Sequence, residues 1–212
     1  RTQPSLRNHL KMNDLIQIIQ VLTPEEVKFV NIELDKKEFI ANSVGFTSDS
    51  GRSRVDSKVR SSSGCILKDD DEVAKVIHEG MNKALLEYCK RVVSIHSSFD
   101  GYPLPGGYMT SSSRELIQVL EYVKDQKYIY HTDCSTQPDS LEYHRKISII
   151  LYLSNDFEGG TTEFIHKSFK PSMGHALIFP ANWCFPHTGT VVTKGKKRVV
   201  VTWYHTKDLN VK

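Results

Sequence analysis

Hydrophobic residues along this chain change their spacing near residue 114, from helical steps to strand alternation. Before that point, residues 15–22 form a short apolar, β-branched run that predicts a strand. Thr23-Pro-Glu-Glu26 has the form of a capping box with proline at the first helical position, so a helix is expected over 24–40. From Asp70 onward, Val73, Val76, Ile77, Met81, Ala84, Leu85 and Tyr88 recur at three- and four-residue steps. They mark an amphipathic helix with an acidic start and Lys90-Arg91 at its end, and the stripe reads as core. Between the helices, residues 42–63 are rich in Ser, Gly, Asp and Arg, with turn points at Gly45 and Gly51. That composition predicts a mobile surface segment with one short strand over 55–60. Residues 97–113, with Gly101, Pro103, Pro105, Gly106 and Gly107, read as a long loop of the kind that serves as a lid or binding loop.

After Arg114 the chain becomes a succession of short apolar segments, read as strands over 116–123, 128–133, 146–154, 161–165, 175–179 and 198–205. In the third of these, Ile147, Ile149, Leu151 and Leu153 share one face. Two helices followed by evenly spaced strands predict a mainly β fold with some α structure. The expected core is a double-stranded β-helix, the jelly-roll or cupin-like arrangement, with the N-terminal helices packed on one sheet. One domain is expected over 1–212, with 1–113 as support and 114–212 as the jelly-roll core.

Composition changes this picture little. The 212 residues are 39% hydrophobic and 25% charged with a net charge of +3, ordinary for a globular chain and too weakly basic to call for nucleic acid. No apolar run is long enough to span a membrane, so no membrane association is expected. Cys65, Cys89, Cys134 and Cys184 are widely separated and form no zinc knuckle or disulfide framework, which gives a reducing, cytoplasmic setting as the expectation. Cys134 reads either as a small buried residue or as an oxidation-sensitive thiol.

The chemistry enters at Tyr128-Ile-Tyr-His-Thr-Asp133. In a strand, residues i and i+2 share a face, so His131 and Asp133 converge. With nine histidines and 25 acids in 212 residues, about one such pair arises by chance, so its surroundings must decide. One more ligand would complete a two-histidine, one-carboxylate facial triad of the kind that holds ferrous iron with open positions. Five histidines lie downstream: His144, His166, His175, His187 and His205. Of these, His187 stands in a turn-rich segment ten residues before Lys197, a spacing suited to an iron site with a cation one strand away.

Several segments resemble the iron(II)- and 2-oxoglutarate-dependent dioxygenases, and among them the prolyl 4-hydroxylases of plant, algal and collagen type. Residues 121–133 are similar to that family's R-Y-x-x-G-Q-K-Y-x-x-H-x-D, with Asp125 where the family has glycine. Arg145 stands before Tyr152-Leu153 as the family's arginine does, and Phe157-Glu-Gly-Gly-Thr-Thr-Glu-Phe164 resembles its EGGET-x-F turn. His187, Lys197, Trp203 and His205 reproduce the spacing of its H…K-x5-W-x-H ending. Leu22-Thr-Pro-Glu-Glu26 and Arg60-Ser-Ser-Ser-Gly64 also look like family landmarks, whereas residues 97–113 match nothing in it.

The resemblance implies that His131, Asp133 and His187 hold Fe(II), and that 2-oxoglutarate and O2 react there, with ascorbate as reductant. It implies that Lys197 pairs with the far carboxylate of 2-oxoglutarate, assisted by Tyr122 and Thr162. Lys196, Lys197 and Arg198 are adjacent cations; strand alternation separates Lys197 from Arg198, and spacing favours Lys197. Arg145 is read as a substrate contact or a structural ion pair, and Tyr128, Tyr130 and Trp203 as substrate-channel residues or plain core. His144, His166 and His175 are read as surface or packing residues.

The reading that follows is an oxygenase hydroxylating a proline-containing peptide or protein at C4, with succinate and carbon dioxide as coproducts. The alternatives are the same chemistry on lysine, a free amino acid or a small metabolite, or a non-catalytic jelly-roll binding module. A zinc hydrolase would use similar ligands but has no need of a buried lysine one strand away.

Overall fold

Alternation in the C-terminal half has two apolar faces to satisfy, and the computed structural model shows each face covered by a different layer. It describes residues 11–42, 44–46, 53–54, 58–99 and 114–205. A 3₁₀ turn, Met12–Leu15, leads into β1 (Gln17–Gln20) and α1 (Pro24–Leu34). The Thr23 hydroxyl accepts from the Glu26 amide and the Glu26 carboxylate accepts from Thr23 N, so the capping box forms as expected. The helix stops at Leu34 rather than near 40, because Asp35 to Glu38 bring no apolar residue back to its buried side. The freed chain lays β2 (Ile40–Ala41) against a later strand. β3 (Val44–Phe46) and β4 (Ser53–Arg54) form a separate two-stranded ribbon.

The short strand expected over 55–60 falls partly outside the described residues. Within them, Lys58 and Val59 are in a turn and Arg60 forms an isolated bridge with Tyr128. Of the loop expected over 97–113, residues 100–113 lie outside the described residues, as do residues 1–10 of the polar start. β5 (Ser63–Leu67) was hidden in the sequence by its serines and glycine. α2 (Glu72–Ile95) buries the whole expected stripe except the partly covered Val76, together with His78 and Val92. No described helix is long and apolar enough to cross a membrane.

The strands that follow are β6 (Ile117–Tyr122), β7 (Tyr128–His131), β8 (Arg145–Tyr152), β9 (Phe157–Gly159) and β10 (Thr162–Phe164). They continue with β11 (Lys167–Phe169), β12 (His175–Pro180), β13 (His187–Gly189), β14 (Val192–Gly195) and β15 (Lys197–His205). β9, β11, β13 and β14 are three or four residues long, too short to show periodicity. A seven-stranded sheet has the order β1-β12-β8-β15-β6-β5-β2, a four-stranded sheet the order β11-β10-β13-β7, and β14 pairs with β9.

The two faces of the larger sheet account for the core. Ile147, Ile149 and Leu151 of β8, with Val119 and Val200, pack on the α1–α2 layer beside Val30, Ile77 and Met81. From the opposite face, Leu120, Tyr152, Val199 and Val201 pack toward Phe164, Phe179 and Phe185. The result is a double-stranded β-helix with helices on one sheet and the smaller sheet on the other.

Candidate metal and cosubstrate site

His131 ends β7 and His187 opens β13, and the two are register partners across the antiparallel pair. Their ring centroids are 4.4 Å apart. Asp133 lies just beyond the strand, with its carboxylate oxygens 3.6 Å from His131 Nε2 and 3.8 Å from His187 Nε2. One donor atom from each of the three residues lies within 4.8 Å of the others. The Nδ1 of His131 faces Ile129 O at 2.9 Å and that of His187 faces Phe185 O at 3.1 Å. A carbonyl can only accept, so Nδ1 carries a proton in both rings, and Nε2 is the ring atom turned toward the other two residues. Ser148 Oγ donates to Asp133 Oδ2 at 2.6 Å. Two imidazoles and one carboxylate, converging with their outer atoms already held, fit Fe(II) in a facial set.

Electrostatics agree with that arrangement. Burial lowers His187 to about 4, so the ring is neutral near neutral pH. Burial alone would raise Asp133, but the facing His187 and His131 and the Ser148 hydroxyl hold its carboxyl well below the usual carboxylate range.

A bulge between β13 and β7 changes which aromatic residues face inward. His187 pairs with His131 and Gly189 with Tyr128, so three steps on β7 answer two on β13. Tyr128 and His131 therefore turn to the same side, where their rings stack at 3.7 Å with 19° between planes. Tyr130, expected in the channel, is instead 49% exposed with its hydroxyl directed at Glu163 and does not line the cavity. Burial pushes the Tyr128 hydroxyl up to about 12.

The triad opens into a cavity of about 560 Å³ that also holds Tyr122, Thr162, Gly189 and Lys197. Lys197 is 4% exposed, forms no ion pair among the described residues, and sets its ammonium over the rings of Tyr152 and Tyr122 at 5.1 and 5.4 Å. Burial, with nearby Lys170 adding to it, brings this group down to about 7. Arg198 points to the opposite face of the sheet, into ion pairs with Glu121 and Asp35. Alternation therefore places Lys197, and not Arg198, in the cavity. The Thr162 hydroxyl shares a 2.7 Å hydrogen bond with that of the fully buried Tyr152.

Arg145 lines the cavity and is also the centre of an ion pair. Its guanidinium donates to both Glu115 oxygens at 2.6 and 2.7 Å and to Asp133 O at 3.2 Å, and lies 3.6 Å over the Trp203 ring. His205 Nε2 completes the Glu115 shell at 2.8 Å. Burial alone would raise Glu115, yet Arg145 and then His205 hold it below its ordinary value. Trp203 also lines the cavity, and neither its Nε1 nor His205 Nδ1 has a partner among the described residues. Sequence reasoning missed Glu115 and Ser148, whereas Tyr128, read as a channel residue or plain core, lines the cavity. The one visible signal was Ser148, a lone hydroxyl between isoleucines on a buried strand. Cys134 lines the cavity with its thiol directed at backbone carbonyls of Ser135 and Tyr143.

Two imidazoles and a carboxylate inside a double-stranded β-helix make a candidate site for a single metal ion. Residues 117–205 match the model of the 2OG-Fe(II) oxygenase superfamily, a superfamily that implies Fe(II), 2-oxoglutarate and O2. A putative prolyl 4-hydroxylase of Acanthamoeba polyphaga mimivirus is 32% identical over 113 residues, 45% of this chain and 47% of that protein. The match thus spans about half the length of that relative. In structure, the viral collagen prolyl hydroxylase of Paramecium Bursaria Chlorella virus-1, solved with 2OG, superposes with a TM-score of 0.62 at 21% identity, covering 93% of this chain and 97% of that one. A Trichoplax adhaerens prolyl hydroxylase, solved with a hypoxia inducible factor peptide, gives 0.61 at 16% identity over 91% and 84%. These likenesses carry the fold.

Proposed function

We propose that this chain is a prolyl 4-hydroxylase-like oxygenase that uses Fe(II) and 2-oxoglutarate to hydroxylate a C–H bond of a peptidyl substrate, at C4 of proline. The observation that carries the proposal is one cavity holding both the triad and a buried lysine with no carboxylate partner among the described residues. His131, Asp133 and His187 would hold the iron. Bound Fe(II) with 2-oxoglutarate supplies oxidation of the C–H bond by O2, the cosubstrate leaving as succinate and carbon dioxide, with ascorbate as the reductant that maintains Fe(II).

The protein's own part is positioning. The Lys197 ammonium would pair with the far carboxylate of 2-oxoglutarate, and Thr162 would offer it a hydroxyl. Leu120, Val199 and Val201 wall the cavity with apolar surface and keep water from the reacting atoms. Arg145 fixes the Asp133 backbone carbonyl, so the third ligand is held from both its main chain and its carboxylate. The Arg145–Trp203 stack then faces the space left for substrate.

The reading is tested by incubating the protein with Fe(II), 2-oxoglutarate, ascorbate and proline-rich peptides. Succinate formation matched by a gain of one oxygen at C4 of proline is expected. Succinate with unmodified proline across a broad peptide set would move the substrate to lysine, an amino acid or a small metabolite. No consumption of 2-oxoglutarate would leave a binding module.

A further inference from the structure

The cavity does not end at the metal site. It continues sideways along the inner face of the larger sheet to strands β5 and β2, where Ile66 and Ile40 line it. The registers form a grid. One row runs Ile66, Gln118, Val201, Ile150 across β5, β6, β15 and β8. The next runs Ile40, Gly64, Leu120, Val199 from β2 to β15. Toward the metal the row residues are covered, with Leu120 at 4% and Val201 at 8%. At the far end Ile66 is 60% and Ile40 65% exposed. Side by side with them is Gln118, whose amide lines the cavity and makes no hydrogen bond with a described residue. Two bare isoleucines next to an uncommitted amide donor and acceptor, continuous with the reaction cavity, are what an extended peptide needs: a backbone partner and an apolar seat.

From this we infer that Gln118, Ile66 and Ile40 form a subsite that selects an apolar side chain at a fixed distance from the hydroxylated residue. The inference rests on the peptide-oxidising reading above. Gln118 would bond the substrate backbone, and the isoleucines would cover a leucine-sized side chain.

The sheet sets the distance. Asp133 is anchored on Ser148 of β8, which pairs with Trp203, two residues along β15 from Val201. From Ser148 to Ile66 is three strands across and two residues along, about 16 Å at roughly 4.8 Å per strand and 3.4 Å per residue. An extended peptide rising about 3.3 Å per residue covers that span in about five residues. The selected side chain therefore sits about five residues from the reacting proline, on one side only.

The test uses short fluorescein-labelled peptides of Ala, Ser and Gly with a single proline and one leucine walked along each side of it. Affinity is read by anisotropy on the full chain, and KM on the Fe(II)- and 2-oxoglutarate-loaded protein. Peptides with leucine about five residues away on one side are expected to bind about tenfold more tightly than the all-alanine peptide. That preference is lost in Ile66→Ser and Ile40→Ser, and Gln118→Leu weakens every peptide alike. Both isoleucines are exposed, so their variants are expected to melt with the parent protein. A leucine effect below twofold at every position, or one that survives both isoleucine variants, overturns the subsite. If peptides bind with the expected pattern but none is oxidised, the subsite stands and the hydroxylase reading fails. If they are oxidised without positional preference, the reverse holds.

Discussion

Lys197 and Arg198 are neighbours in the chain and lie on opposite faces of the sheet that carries them. Lys197 pairs in register with Tyr122 and turns its ammonium into the cavity, whereas Arg198 is held by Glu121 at 2.5 Å, Asp35 at 2.6 Å and the Asn31 side chain at 2.8 Å. One cation faces the cavity and the other is spent on the fold.

Substitutions should separate these roles. Lys197→Ala is expected to weaken 2-oxoglutarate binding by about 100-fold, since a charged partner in a desolvated site is worth about 3 kcal/mol, while metal binding is retained. Arg198→Ala should leave cosubstrate affinity within about twofold and lower stability by about 1–3 kcal/mol, through the bonds lost to Glu121, Asp35 and Asn31, although Glu121 keeps Lys196. Titration of 2-oxoglutarate with the Mn(II)-loaded protein, alongside thermal melts, checks both. Equal losses of cosubstrate affinity would reassign the cation.

The same lysine gives a pH dependence whose sign is fixed. In the empty protein its ammonium titrates near 7, and a bound carboxylate raises that value. Below 7 the lysine is already charged and binding takes up no proton. Above 7 binding must protonate it, so affinity falls up to tenfold per pH unit until the raised value is reached. His187, near 4, and Asp133, lower still, stay in their ligating forms throughout that window. Calorimetry between pH 6.5 and 8.5 in buffers of different ionisation heat should show proton uptake that grows with pH. A pH-independent affinity would contradict it.

Removing a ligand tests the triad. His187→Ala should abolish tight Fe(II) or Mn(II) binding and 2-oxoglutarate turnover together. Because the ring is buried against Phe164 and Phe179, it should also cost about 2–4 kcal/mol of stability. Thr188→Ala, next along the strand, keeps the ligands and should keep the metal. Equal metal affinity in His187→Ala and the parent would remove His187 from the site.

Much of this site was legible because its signals are local. The i, i+2 step joins His131 to Asp133, a capping box starts α1, and alternation separates Lys197 from Arg198. The features that were not legible depend on pairing between distant strands. The bulge that turns Tyr128 inward and Tyr130 outward exists only because β7 meets β13, and no periodicity within β7 reveals it. Glu115 likewise reads as an ordinary acid until Arg145 and His205 arrive from two other strands. Strands of three residues, such as β9 and β13, are below the length at which a period of two can be seen.

The Glu115–Arg145 pair should matter to stability and to the metal ligand at once. Glu115→Gln leaves the partly buried Arg145 guanidinium without its countercharge, which is expected to cost about 2–3 kcal/mol. Because Arg145 also donates to Asp133 O, metal affinity should drop severalfold in the same variant. Urea unfolding and Mn(II) titration read the two effects separately. A Glu115→Gln protein with unchanged unfolding midpoint would mean that the pair is neutral in this fold.

Asp125 closes the turn between β6 and β7 at φ 69°, the left-handed region, in the position where the resembling motif carries glycine. Its amide donates to Val192 O at 2.8 Å, which fastens the turn to β14, so the backbone cannot relax to escape the strain. Aspartate tolerates this conformation better than most residues, and a β-branched side chain does not. Asp125→Gly removes the Cβ penalty but frees the unfolded chain, two effects of about 1 kcal/mol that oppose each other. The glycine variant should therefore lie within about 0.5 kcal/mol of the parent, while Asp125→Val should lose about 1–2 kcal/mol. Chemical denaturation of the three proteins decides it. A valine variant as stable as the parent would show that the turn can leave the left-handed region, and with it the anchor to Val192.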